Sequence, residues 1–188
     1  MHNIVVAIDD SEYSLNAVEF GQRLASQLGI EVKAISVVPE QDAVASRRAT
    51  LKTRFEAHQL HNIAIDVVVH DSAKAYLGQL ASREDTGVCM MAHGRRPVPE
   101  MLIGSVTAGV VRRSQRPVFL CGPRYNNRLH QQVDVLAVCV DGSTLSEQIL
   151  PYAAALVKRL GARLQLLQVI DTFAVSKPTS LGHTDVLE

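Results

Sequence analysis

Nothing in the 188 residues is apolar for long enough to cross a bilayer: no window approaches the about 18 consecutive apolar residues that a spanning helix needs. The amino terminus, MHNIVVAIDD, passes from a five-residue apolar run straight into two aspartates, which is unlike a signal peptide. These absences make the cytoplasm the expected location. An excess of charge is missing as well, with Lys+Arg and Asp+Glu at 19 each, so neither nucleic acid nor membrane is expected as a partner. Cysteine is scarce. Cys89, Cys121 and Cys139 stand in apolar runs without CxxC spacing, which excludes a disulfide framework or a zinc ribbon and reads as three buried, reduced thiols. No Gly-Lys-Ser/Thr occurs, so there is no Walker loop, and the seven histidines include no HExxH. His58 and His61, three apart, read as exposed residues at a helix end rather than half a metal site. Ser11, Ser14 and Asp9 lack the surroundings of an activated nucleophile, so no catalytic residue is assigned.

What is present is a regular alternation. Residues 4–8 form a continuous apolar run, as in a strand covered on both faces, and it stops at Asp9-Asp10-Ser11. Leu15, Val18, Leu24, Ala25 and Leu28 then share a helical face, with Ser11 as the expected N-cap and Gly29 as the expected stop. A second strand is predicted over 32–38, closed by Pro39. Val44, Leu51 and Phe55 mark a helix, 63–69 a strand, Asp71 the cap of a helix carrying Leu77 and Leu80, and 88–92 a fourth strand. A helix over about 105–114 and a fifth strand over 117–121 complete the series. Parallel pairs need crossovers, so this order predicts an α/β fold: a Rossmann-like five-stranded parallel sheet flanked by helices.

The polar stretch after Gly122 reads as a linker, and the residues beyond it repeat the beginning of the chain. A constant offset of 132 lays residues 136–170 on 4–38 and pairs Asp9 with Asp141, Ser11 with Ser143, Ser14 with Ser146 and Gly29 with Gly161. The expected organisation is a domain over 1–124, a linker over 125–133 and a partial second domain over 134–188. A lone strand-helix-strand cannot bury both sheet faces, so the second copy is expected to belong to a longer chain or to need a partner surface.

Open parallel sheets bind ligands beyond the carboxyl ends of their strands. Here that edge carries Asp9, Val37, Val38, His70 and the loop MAHGRRPVPEMLIGS at 91–105. Gly94 permits close backbone approach, and Gly104-Ser105 offers free amides and a hydroxyl at a helix N-terminus, a natural phosphate site. Seven arginines, Arg95, Arg96, Arg112, Arg113, Arg116, Arg124 and Arg128, face one acid, Glu100, between Gly94 and Arg128. The plain alternative is that Gly94 turns the chain, Ser105 caps the helix, and Arg112 and Arg113 complement its dipole. His93 is the one histidine placed to touch a phosphate, and it reads equally well as a loop residue.

The segments IVVAIDDS, HGRRPVPEMLIGS, SQRPVFLC and VLAVCVDGSTLS together resemble the universal stress protein family, over 3–122 and again, cut short, over 134–170. Nucleotide-binding members share Gly, two residues, Gly, nine residues, then Gly and Ser or Thr. Gly94, Gly104 and Ser105 match the last three elements, whereas Met91 stands at the first glycine and His70 where glycine often follows the third strand. The resemblance implies an ATP or AMP site, with Mg2+ as a possible companion of the phosphates. In that site Asp9 lies near the nucleoside, Val37 beside the adenine, and Gly94, Gly104 and Ser105 around ribose and phosphates. It also implies a stress-response module that dimerises. Two further readings stay open: a nucleotide-free dimerisation and interaction module of the same fold, and a slow ATP hydrolase.

Overall fold

A computed structural model describes residues 1–92, 103–122, 124–129 and 131–169. The expectations placed on His93, Gly94, Arg95, Arg96, Pro97, Pro99 and Glu100 lie outside the described residues.

Strands β1 (Asn3–Ala7), β2 (Glu31–Val38), β3 (Ala64–Val69), β4 (Thr86–Met91) and β5 (Phe119–Cys121) alternate with helices α1 (Tyr13–Leu28), α2 (Ala43–Ala57), α3 (Ala73–Ala81) and α4 (Ser105–Arg113). The strands form one sheet in the order β3-β2-β1-β4-β5, every pair parallel. The expected α/β, Rossmann-like architecture is therefore present. The apolar run of β1 has a direct cause in the pleat. Ile4 and Val6 join a core with Leu15, Val18, Leu24, Leu51 and Phe55 of α1 and α2, while Val5 and Ala7 join a second core with Leu77 and Val110 of α3 and α4. A strand with a helix layer on both faces has no side left for polar residues. Gly21 sets the closeness of α1 to the sheet, because a Cβ there would lie 2.5 Å from Val6 Cγ2.

The helix ends correct the sequence in detail. Gly29 does stop α1, in the left-handed region at φ 65°. The start of α1 is preceded by Glu12, which makes no side-chain cap, although Ser11 Oγ accepts from the Ser14 amide at 3.3 Å. For α3 the cap is Ser72 rather than Asp71. Ser72 has the extended φ/ψ of a cap, and its hydroxyl accepts from the Ala75 amide.

Residues 135–167 form β6 (Val135–Cys139), α5 (Thr144–Glu147), α6 (Leu150–Leu160) and β7 (Arg163–Leu167), with β6 and β7 paired in parallel as a separate two-stranded sheet. This unit is fastened to α1. Gln27 Nε2 donates to the carbonyls of Val133 and Leu160, each at 3.0 Å, and its Oε1 accepts from the Val133 amide at 2.9 Å. Arg23 bonds Asn127, and Phe20 meets Tyr125 edge-on at 5.4 Å, so the polar linker is seated on α1 rather than extended. The cysteines divide between the regions. Cys89 and Cys121 are buried, and burial pushes the Cys121 thiol up to about 12. Cys139 is exposed, contrary to expectation, because β6 has few neighbours to cover it.

Candidate functional site

The chain leaves β1 to build β2 and β3 on one side and returns to build β4 and β5 on the other. The two arms diverge at the carboxyl end of β1, and a crevice opens there. A cavity of about 550 Å³ occupies it, within the size range of small-molecule sites. Of the residues predicted from sequence, Asp9, Val37, Gly104 and Ser105 all line this one cavity. Gly94 lies outside the described residues. A second cavity, about 460 Å³, lies between the β5 edge and the 135–167 unit; it contains none of these residues.

Each wall has a physical origin. Asp9 lies two residues beyond the end of β1, and its Oδ1 accepts from both the Ser11 amide (3.0 Å) and the Ser11 hydroxyl (2.6 Å). Ser14 Oγ donates to the Ser11 carbonyl at 2.7 Å and closes the turn from below. The Asp9 carboxylate is thus held in one orientation at the cavity rim. Val37 is half-buried on the face shared with α3, where Ala73 and Leu77 continue the apolar lining. That surface suits a flat, apolar ring.

The opposite end is polar. Gly104 precedes α4 without a side-chain cap, so among the described residues no side chain caps the first turn, which has the positive end of the helix dipole behind it. Gly104 has φ −58°, which any residue can adopt, so what the glycine supplies is the absence of a side chain on the cavity wall. Two bonds fix this helix end to β4: the Gly104 amide donates to the Ala92 carbonyl at 2.9 Å, and buried Thr107 Oγ1 donates to the Met91 carbonyl at 2.9 Å.

Met91 touches the question of fit directly. It is buried, continues β4 in register with Cys121, and belongs to the core on the α1 face, away from the core formed with α3 and α4. The residue standing at the first glycine position therefore packs on the α1 face and also lines the cavity. His70 is half-buried beyond β3, where its Nδ1 accepts from the Ser72 amide and its ring meets Tyr76; it is not among the cavity residues.

The arginine cluster does not converge on the cavity among the described residues. Arg113 bonds the Gly109 carbonyl within α4, Arg116 pairs with Glu84, and Arg112 stands in the last turn, far from the uncapped end. Among the described residues the cavity's cation is one the sequence did not point to, Arg47 of α2. Its segment, ASRRAT, carries the pattern of any solvated helix face. Only the fold brings it over the strand ends.

Residues 1–122 match the Universal stress protein family. No curated relative matches the chain significantly. Among solved structures, a universal stress protein from Archaeoglobus fulgidus superposes with a TM-score of 0.52 at 18% identity, covering 64% of this chain and 98% of that one. Another structure of a universal stress protein from that organism gives a TM-score of 0.58 at 19% identity, over 91% of this chain and 68% of the other. A universal stress protein solved in complex with cAMP gives 0.51 at 21% identity, over 64% and 96%. At these identities the structures bear on fold. They repeat for the whole sheet what the sequence match establishes over 1–122: the chain belongs to the universal stress protein family.

Proposed function

We propose that the cavity at the end of β1 binds an adenine nucleotide, ATP or AMP, and that the protein acts as a nucleotide-responsive stress module. The observation that carries this reading is convergence: Asp9, Val37, Gly104 and Ser105, separated by up to 96 positions in sequence, line one cavity that is apolar at one end and has an uncapped helix N-terminus at the other. The adenine stacks against Val37 and Leu77, Asp9 accepts from ribose hydroxyls, and the amides of Ser105 and its successors hold phosphate, with Gly94 completing the loop. One relative was solved with cAMP, a purine nucleotide, which supports the same ligand class. Among the described residues no group of three or more His, Cys, Asp and Glu is arranged for a metal, so any Mg2+ travels on the phosphates of ATP.

Residues 134–169 support a further reading as part of a second family domain after the 125–133 linker, since their strands repeat the pairing of β1 and β2. Every residue of β7 is exposed, which favours association of copies as a dimer. Among the described residues no helix is long and apolar enough to cross a membrane, and a cytoplasmic site of action suits a nucleotide-responsive protein.

Calorimetric titration of ATP and AMP into the wild type and Gly104→Val tests the function. Binding by the wild type, weakened at least about tenfold in the variant by a side chain at the phosphate end, is expected. No binding by the wild type removes the nucleotide reading and leaves the interaction module.

A further inference from the structure

Helix α2 is attached in two different ways along its length. Its carboxyl-terminal half is anchored by Leu51 and Phe55, the two buried residues of the helix. Its amino-terminal half has none, and the polar ties of the whole helix run to the loop that follows β1. There Arg54 bonds the Asp10 carbonyl and lies 3.5 Å from Glu12, while His58 lies 3.7 Å from the same carboxylate. Arg47, about two turns earlier, meets Asp10 Oδ2 at 3.8 Å, beyond hydrogen-bonding distance. Arg54 is thus the fixed tie and Arg47 the loose one.

Arg47 is also the one charged group of α2 that lines the cavity, where Asp9 is the other charged lining residue among those described. Its side chain is mostly sheltered, at 21% exposure, against 43% for its partner Asp10. A guanidinium held over a cavity, out of bulk water, by a long contact to a more exposed carboxylate is poised to exchange that partner for a better one. A phosphate offers the matching two-pronged geometry and more charge.

We propose that Arg47 is the residue by which this cavity distinguishes a nucleotide from its nucleoside: it leaves Asp10 for the ligand's phosphate and draws the weakly anchored start of α2 toward the cavity. The proposal rests on the nucleotide reading and assigns to it the part of the affinity that depends on ligand charge. The cavity contains the uncapped end of α4 on one wall and Arg47 on another, so a phosphate between them is held from two sides. The neighbouring base contacts, at Val37 and Leu77, do not involve α2.

The test compares adenosine with AMP in calorimetric titrations of the wild type, Arg47→Gln, Arg47→Lys and Asp10→Asn, with Gly104→Val alongside. In Arg47→Gln the AMP affinity falls about tenfold or more, as for a lost hydrogen bond to a charged group. Adenosine affinity stays within about twofold of wild type. Arg47→Lys, which keeps the charge but not the fork, falls between the two. Asp10→Asn, which removes the competitor, raises AMP affinity. Equal changes for adenosine and AMP in Arg47→Gln, no change for either, or unchanged AMP affinity in Asp10→Asn would overturn the proposal. If the wild type binds AMP and Gly104→Val weakens it while Arg47→Gln does not, the assignment of Arg47 fails and the nucleotide reading stands. If the wild type binds neither ligand, both fail.

Discussion

Residues 3–38 and 135–167 follow the same path under different cover. Asn3 pairs with Glu31 and Val135 with Arg163, a constant shift that continues along both ladders. Both helical segments end on a left-handed glycine, Gly29 at φ 65° and Gly161 at φ 66°. Both turns are built alike: Asp9 Oδ1 accepts from the Ser11 amide, Asp141 Oδ1 from the Ser143 amide, and Ser14 and Ser146 each donate to the carbonyl three residues back. Burial is where they part. Four of the five residues of β1 are buried, against one in β6 and none in β7. Turn chemistry and strand pairing are thus set by short stretches of sequence, whereas a core needs neighbours, which the first region receives from α2, α3, α4 and the flanking strands.

The largest expected effect breaks the equivalence at one position. Ala153 is the counterpart of Gly21, and it is buried in α6. Gly21→Ala would install the second region's residue in the first, where its Cβ meets Val6 at 2.5 Å. A loss of about 1–3 kcal/mol in urea unfolding is expected from such overpacking. Stability equal to wild type would mean that α1 can lift from the sheet at no cost.

A smaller effect is expected where the second helix is divided. Pro151 stands at the counterpart of Glu19, and with no amide hydrogen it cannot bond the Glu147 carbonyl, so α5 ends at Glu147 and α6 begins at Leu150. Pro151→Glu should join the two pieces into one helix resembling α1, read as a gain in helical circular dichroism. An unchanged spectrum would assign the break to the missing cover rather than to proline.

The smallest effect concerns the turns. Hydrogen bonds from Ser143 and Ser146 hold the exposed Asp141 carboxyl below the usual carboxylate range. A lowered folded-state value means that the contribution is fully present above the ordinary value of 3.8 and fades as pH falls below it. Thermal unfolding of Asp141→Asn should therefore match wild type more closely at acid pH than at neutral pH. A constant difference across the range would show that the carboxylate's charge is not what stabilises the turn.

These contrasts explain what could be read in advance. The strands β1 and β4 were legible because burial on both faces leaves an apolar run, and α1 because one face repeats and a glycine ends it. That Asp9, Val37, Gly104 and Ser105 line one cavity was legible because parallel topology gathers the strand ends and the loops that follow them. Arg47 was not, since its place on the cavity wall arises from the packing of α2 and leaves no mark in a polar helix. Asp71 and Ser72 are both able caps, and only backbone conformation chooses between them. The exposure of Cys139 was hidden for the same reason as that of β7: an apolar segment records what a strand prefers, and not whether anything arrives to cover it.

Gln27 gives the molecule a direction in time. Its amide engages Val133 and Leu160, residues 106 and 133 positions later, and it can do so only from a finished α1. As the chain emerges during synthesis, the strands of the first sheet leave the ribosome before either of these partners does. The order of synthesis thus lets the later unit meet a surface that has already emerged.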